Sequence, residues 1–169
     1  MALETIPKMG VVASFGQRKT NGKYGGEQST NFKRTAIWSF KFDDLPGPTT
    51  TNLEKIIPAN STILSAKLRI LEAFTSTSTT TDLTVGLRTK AGVVIDDAGF
   101  ITAAQATQTT IAVVNSIIDG ASGTAGALIN KTVGSTDGEL YVAPTVADLL
   151  TGRAEMIVEY LLPFPSQQV

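Results

Sequence analysis

The stretch that decides the fold spans residues 54–74, EKIIPANSTILSAKLRILEAF. Its first part predicts a turn, because Pro58 fixes φ and Asn60 can hydrogen-bond its own backbone. Its second part alternates with a period of two, which is typical of a strand with one buried face. Four apolar residues share that face, Ala66, Leu68, Ile70 and Phe74. Lys67 and Arg69 lie on the other face, so we predict a strand whose apolar side covers a core.

The same alternation recurs on both sides of this stretch. Residues 33–42 place one set on a single face, Ala36, Trp38, Phe40 and Phe42. Residues 153–162 do the same with Ala154, Met156, Val158, Tyr160 and Leu162. Turn signals every 8–12 residues or so separate further short strands, which is typical of a sandwich or jelly roll. We therefore predict an all-β, β-sandwich or jelly-roll-like domain over residues 32–169, preceded by an extended arm.

The segments between these strands carry weaker signals. The Thr/Ser run at 75–81 predicts the tip of a hairpin that joins the strand within residues 54–74 to a second strand at 82–88. Gly86 in that second strand indicates a bulge or a close backbone contact. Short elements follow in order: a strand at 93–95, a turn at 96–99, one or two helical turns at 102–109 capped by Thr102, a strand at 127–129, a hairpin turn at 134–138 and a helical turn at 147–152 capped by Gly152. The apolar run at 111–118 predicts an extended segment buried on both faces, with another subunit as one source of that burial.

Composition removes several classes of chemistry. The 169 residues contain no cysteine and no histidine. This excludes a disulfide scaffold, a thiolate zinc site and a cysteine nucleophile, and it removes the commonest general base. No apolar run is long enough to span a membrane, and the N-terminus lacks the apolar region of a signal peptide. We expect no enzyme activity, no cofactor and no membrane partner.

Three carboxylate or glycine patterns are candidate sites. Asp96 and Asp97, with Asp82 or Asp119, form the best candidate for Ca²⁺, but the calcium-loop spacing is missing and a solvated turn is favoured. Glu155 and Glu159 lie on one strand face at roughly 13 Å, too far apart for a glycosidase pair. The glycines at 120–126 lack the Lys-Ser/Thr ending of a phosphate loop. We predict no metal site.

Positive charge is concentrated at the N-terminus. Residues 1–41 hold seven Lys/Arg and two Glu, whereas residues 42–169 hold seven Lys/Arg and thirteen Asp/Glu. We predict that residues 1–31 form an extended basic arm that binds an acidic surface. The candidate binding residues are Lys8, Arg18, Lys19, Lys23, Tyr24, Lys33 and Arg34. A nucleic-acid-stacking arm is the less favoured alternative, because the rest of the chain is acidic and carries no nucleic-acid motif.

From residue 57 onward the order of motifs resembles a known family. The motifs are IPANS (57–61), AKLRI (66–70), LTVGL (83–87), VIDDAGF (94–100), GELYV (138–142), TGRA (151–154) and VEY (158–160). Together they resemble the β-sandwich decoration, or cement, proteins of tailed-phage heads, over about the last two-thirds of the chain. The resemblance implies a structural protein on the outer surface of the virion capsid, made in the host cytoplasm. It also implies two partners, the major capsid protein and further copies in a homotrimer.

A different function remains open for the same fold. The alternative is a receptor- or carbohydrate-binding module of a phage head or tail fibre, with its site on the exposed loop at 75–81. That loop contains no Trp or Tyr, the residues on which sugars usually stack.

Overall fold

The computed structural model describes residues 33–45, 56–120 and 128–163. Within these ranges the chain forms eight strands, a 3₁₀ turn (Phe42–Asp44) and one short helix, α1 (Gln108–Ile111). The strands are β1 (Lys33–Lys41), β2 (Ile56–Ile57), β3 (Thr62–Ser76), β4 (Leu83–Arg88), β5 (Val94–Ile101), β6 (Ile117–Asp119), β7 (Gly138–Pro144) and β8 (Leu149–Leu161). The predicted all-β class is confirmed.

The strands make two antiparallel sheets of four. Sheet I has the order β1-β8-β3-β6 and sheet II the order β2-β7-β4-β5. Strands 1 and 8, 2 and 7, 3 and 6, and 4 and 5 are therefore neighbours. A long antiparallel hairpin, rolled up so that its successive pairs alternate between two sheets, gives this order. It is the arrangement of a jelly roll built from two Greek keys.

One apolar core lies between the inner faces of the two sheets. The predicted inward residues of β1 and β3 are buried, including Trp38, Phe40, Leu68 and Phe74. The rings of Phe40 and Phe74 stack with centroids 6.3 Å apart. In β8, Ala154, Met156, Val158 and Tyr160 are buried as predicted. Burying each large apolar side chain contributes about 1.5–3 kcal/mol, so these three strands supply much of the stability.

The predicted hairpin between β3 and β4 is wrong. β3 pairs with β6 and β8, while β4 pairs with β5 and β7, so the connection crosses from one sheet to the other. The Thr/Ser residues still turn the chain, because hydroxyls bond within the loop, with Ser76 Oγ 3.0 Å from Thr81 Oγ1. Alternation reports which face of a strand is covered, and it does not identify the neighbouring strand.

Residues 93–99 also differ from the prediction. From Val94 onward, the expected strand at 93–95 and the expected turn at 96–99 belong to a single strand, β5. Its pairing with β4 is irregular, since Val85 pairs with Ile101 but Leu87 pairs with Asp96. Gly86 explains this geometry. A Cβ built on Gly86 would overlap the carbonyl oxygen of Asp96, so the predicted close backbone contact is confirmed. Only glycine leaves room for the irregular strand to cross there.

Four weaker predictions differ from the structure in part or in full. Thr102 O accepts hydrogen bonds from the N–H groups of Gln105 and Ala106, so one turn forms there, but helix α1 begins at Gln108, five residues later than one capped by Thr102 would begin. The segment expected as a strand at 127–129 is a turn over its described residues, and β7 pairs with β2 and β4, which leaves the expected 134–138 hairpin unformed. The expected helical turn at 147–152 belongs largely to β8. Gly152 has φ +124°, a conformation that favours glycine, and it lies against the ring of Phe74.

Candidate interaction surfaces

The candidate arm residues divide into two groups. Lys8, Arg18, Lys19, Lys23 and Tyr24 lie outside the described residues. Lys33 and Arg34 begin β1, where both are exposed. Lys33 is engaged within the domain, because its Nζ lies 2.9 Å from Oε1 of Glu159 on the neighbouring strand β8. Arg34 forms no ion pair with any part of the chain that the structure describes. Of the two, Arg34 is the cation available to a partner.

The outer face of sheet I is neutralised by ion pairs between adjacent strands. Besides Lys33–Glu159, Lys67 lies 3.1 Å from Asp119, and Arg69 lies 3.9 Å from Glu155. Arg153 lies 3.3 Å from Glu72. The pKa of Glu159 is lowered, mainly by the hydrogen bond from Lys33 and to a smaller extent by the one from Ser65. Exposed pairs of this kind stabilise little individually, and here their main effect is to leave a face with few unmatched charges.

The outer face of sheet II holds a more ordered charge cluster. Arg88 donates two hydrogen bonds to Asp97, 2.7 Å from Nε to Oδ1 and 2.8 Å from Nη2 to Oδ2. The guanidinium also lies 3.5 Å from the centroid of the Tyr141 ring. The hydrogen bond to Asp97 raises the pKa of Arg88 and outweighs its desolvation. A bidentate pair stacked on an aromatic ring holds the irregular part of β5 against β4.

This cluster explains what the adjacent aspartates do. Asp97 is bound to Arg88, and Asp96 Oδ1 accepts a hydrogen bond from the backbone N–H of Ala98. Asp82 accepts from the N–H of Gln108, and Asp119 pairs with Lys67. The four candidate calcium ligands therefore have separate structural partners. Across the residues of known placement, no group of three or more His, Cys, Asp or Glu side chains is placed to hold a metal.

The apolar run at 111–118 is placed differently from the prediction. Ile111 ends α1, Ile118 lies in β6, and both are buried. Between them the chain turns outward and exposes Val113, Val114 and Ile117 to 55%, 48% and 59%. The expectation of an extended segment buried on both faces is wrong for this chain by itself. Apolar composition signalled burial, but within this domain the side chains face outward.

No helix within the described ranges is long and apolar enough to cross a membrane. The exposed loop at 77–80 presents hydroxyl groups that bond one another, as in the 3.1 Å contact between Ser78 Oγ and Thr80 Oγ1. These hydroxyls give the loop its shape.

Comparisons with known proteins give structural matches alone. No family model matches the chain, and no curated protein does. A chain from the acidic-stable capsid of Helicobacter pylori bacteriophage KHP30 is similar over 78% of this chain and 88% of its own length, with 18% identity and a TM-score of 0.49. A chain from the capsid asymmetric unit of cyanophage Pam1 is similar over 87% and 98%, with 20% identity and a TM-score of 0.47. A chain from the capsid of Ralstonia phage GP4 is similar over 78% and 86%, with 13% identity and a TM-score of 0.45.

The three structures are of phage capsids, the kind of particle that the sequence resemblance indicates. At these identities and TM-scores, the likeness does not carry the function of those particles over to this chain.

Proposed function

We propose that this protein is a structural component of a phage virion that binds the outer surface of the capsid. There it bridges and stabilises major capsid subunits as a decoration, or cement, protein, and it acts by binding rather than by catalysis. The observation that carries the proposal is the position of the family-like motifs in the strands of the fold. They occupy the strands of a jelly roll in order: AKLRI in β3, LTVGL in β4, VIDDAGF in β5, GELYV in β7, and TGRA and VEY in β8.

The distribution of charge supports a binding role for the N-terminal segment. The described residues carry nine Lys/Arg and twelve Asp/Glu, a net charge of −3. On sheet I, four of the cations are matched by carboxylates. Residues 1–31 hold four Lys/Arg and two Glu. We infer that this basic segment, together with Arg34, binds an acidic patch on the major capsid protein, while Lys33 orders the start of β1.

Deletion of residues 2–31 tests the proposal. The truncated chain should no longer sediment with purified empty capsids, and its circular dichroism and thermal melt should match those of the full chain. A truncated chain that decorates capsids as well as the full chain does would refute the arm hypothesis. Attachment should also weaken as salt rises, because exposed charge pairs are screened over about 10 Å at 0.1 M salt.

A matched pair of variants separates the position of charge from its amount. Arg18→Gln with Lys19→Gln removes two positive charges from the N-terminal segment. Lys90→Gln with Lys131→Gln removes two from exposed sites on the domain. We expect the first pair to weaken capsid binding and to flatten its salt dependence, and the second to leave both unchanged. Equal effects would show that overall charge, and not the N-terminal segment, determines attachment.

The jelly-roll strand order is also compatible with a second function. Jelly rolls also occur in lectin domains, so a receptor- or carbohydrate-binding module of a head or tail fibre is the second candidate. Its site would be the hydroxyl-rich segment at 75–81, of which residues 77–80 lie beyond the end of β3, and the segment lacks the aromatic side chain on which sugars usually stack. A glycan array distinguishes the two functions, since a cement protein should bind no glycan and should bind capsids.

A further inference from the structure

The register of sheet I brings the start of β1 and the end of β8 to the same end of the sandwich. Lys33 of β1 and Thr62 of β3 both pair with Leu161 of β8. A bridge between Thr62 and Thr132 adds the connection that precedes β7. The N-terminal segment joins the domain at Lys33, so we call this the root end. It consists of residues 33–34, 58–62, 130–137 and 161–162.

Arg34 determines which way the domain faces. It lies on the same side of β1 as Ala36 and Trp38, which are buried, yet Arg34 is exposed. Its side chain therefore lies at the rim of the root end, beyond the core. Under the proposed function, Arg34 binds the same acidic surface as residues 1–31. Because β1 is paired with β8 along its whole length, Arg34 cannot reach that surface unless the root end lies against it.

The root end is a preformed surface. Its two neighbouring connections are joined by backbone hydrogen bonds. Asn60 N donates to Gly134 O at 2.6 Å, and Val133 N donates to Ser61 O at 2.9 Å. Asn60 and Gly134 have φ of 59° and 100°, a left-handed conformation that asparagine and glycine adopt most readily. A surface fixed in this way loses little conformational entropy when a partner binds it.

The opposite end carries charge of the wrong sign for an acidic partner. We call residues 77–82 and 145–148, which join β3 to β4 and β7 to β8, the distal end. These residues include Asp82 and Asp148 and no Lys or Arg. An acidic patch on a capsid disfavours this end, because like charges repel. We infer that the domain stands on the capsid by its root end, with the 77–80 loop facing outward, and this inference rests on the proposed function.

The root end sets the orientation of the domain, while the N-terminal segment supplies most of the affinity. Lys131 belongs to the root end, and Lys90 lies in the β4–β5 connection on the same side of the domain. Single exposed charges of this kind contribute little in salt. Replacing both lysines should therefore leave capsid attachment in place, and a test of orientation needs a measurement of contact.

The absence of cysteine makes that measurement direct, because one substitution supplies the sole thiol of the chain. Thr132→Cys places it at the root end and Thr79→Cys at the distal end, and both threonines are exposed. In the free chain the two thiols should react with a maleimide at similar rates. On purified empty capsids the thiol at position 132 should react at least about ten-fold more slowly, because a packed interface excludes the reagent. The thiol at position 79 should keep its free rate. Equal rates on capsids, or slowing at position 79 instead, would overturn the inference.

Labelling before attachment gives a second measurement. A polyethylene-glycol maleimide at position 132 should prevent cosedimentation with capsids, and the same label at position 79 should not. Cosedimentation that survives the label at position 132 would also overturn the inference. Ser135→Cys, exposed in the same connection, replaces Thr132→Cys if that variant melts below the parent chain. A parent chain that fails to bind capsids refutes the proposed function, whereas a bound chain with equal thiol rates refutes the orientation alone.

Discussion

Replacing Gly152 with alanine should destabilise the domain strongly, for two reasons that can be measured separately. Gly152 is buried in β8 with φ +124°, where an L side chain is strained by about 1–3 kcal/mol. Its added Cβ would also overlap the ring of Phe74, which is fully buried and stacked on Phe40. Overpacking a core costs a further 1–3 kcal/mol or so. We expect a total loss of about 2–6 kcal/mol of unfolding free energy.

This loss is large relative to the stability of an ordinary domain, about 5–15 kcal/mol. A loss of about 4 kcal/mol corresponds to a fall in Tm of about 8–16 °C for a domain of this size. Thermal melts and urea unfolding followed by circular dichroism measure both quantities. Agreement between the two methods also tests two-state behaviour, which the conversion assumes.

Gly134→Ala is the matched control for the backbone contribution. Gly134 has φ +100°, and a Cβ built there meets no atom within 4 Å. Its alanine variant should lose only the strain, about 1–2 kcal/mol. The difference between the two variants measures the contact with Phe74. If Gly152→Ala costs within about 0.5 kcal/mol of Gly134→Ala, the proposed close contact is wrong.

A double-mutant cycle gives an independent check. Phe74→Ala removes the three ring atoms, Cγ, Cδ1 and Cε1, that the alanine methyl at residue 152 would meet. The double variant should therefore be more stable than the sum of the two single losses predicts, by about 1 kcal/mol or more. Strict additivity would contradict the role assigned to Phe74.

Two further predictions concern charged groups. Arg88→Lys loses the bidentate geometry toward Asp97 and the planar stacking on Tyr141, so Tm should fall by about 3–6 °C. The control Arg153→Lys changes a single exposed 3.3 Å pair with Glu72 and should alter Tm little. Equal shifts in Tm would contradict the role assigned to the Arg88 cluster. The pKa of Glu159 is lowered in the folded state, so its stabilisation is complete above the unfolded value of about 4.3 and is lost as pH falls through the lower folded pKa. Glu159→Gln should therefore lose less Tm than the parent chain between about pH 5 and 3, and parallel pH profiles would argue against the role of Lys33.

Much of the fold is legible in the sequence, because alternation directly reports which side of a strand is covered. Alternation predicts that Trp38, Leu68 and Met156 lie in the core, and all three are buried. Alternation does not show which of the two sheets a strand belongs to. The crossing from β3 to β4 depends on pairing with β8 and β7, which lie some 80 and 60 residues further along the chain.

The surfaces were predicted less completely. Lys33 looked like a free cation, because its partner Glu159 is distant in sequence and becomes adjacent only when β1 pairs with β8. Asp96 and Asp97 looked like a solvated turn, because nothing local indicates that Arg88 and Tyr141 hold them in a strand. The apolar run at 111–118 is predicted to be buried, but composition alone does not show that Val113, Val114 and Ile117 face outward. The role of Lys8, Arg18, Lys19, Lys23 and Tyr24 stays a prediction.

The strand order also has a consequence for biosynthesis. In sheet I the late strand β8 lies between the early strands β1 and β3, and in sheet II the late strand β7 lies between β2 and β4. Neither sheet can complete its strand pairing while the ribosome is still translating residues 138–161. Until then, the edges and apolar faces of the early strands remain exposed. Such distant pairing slows folding and favours aggregation of incomplete chains. A nascent chain of this protein therefore depends on rapid completion of its C-terminal strands, and a premature stop in β8 should yield insoluble product instead of a smaller folded domain.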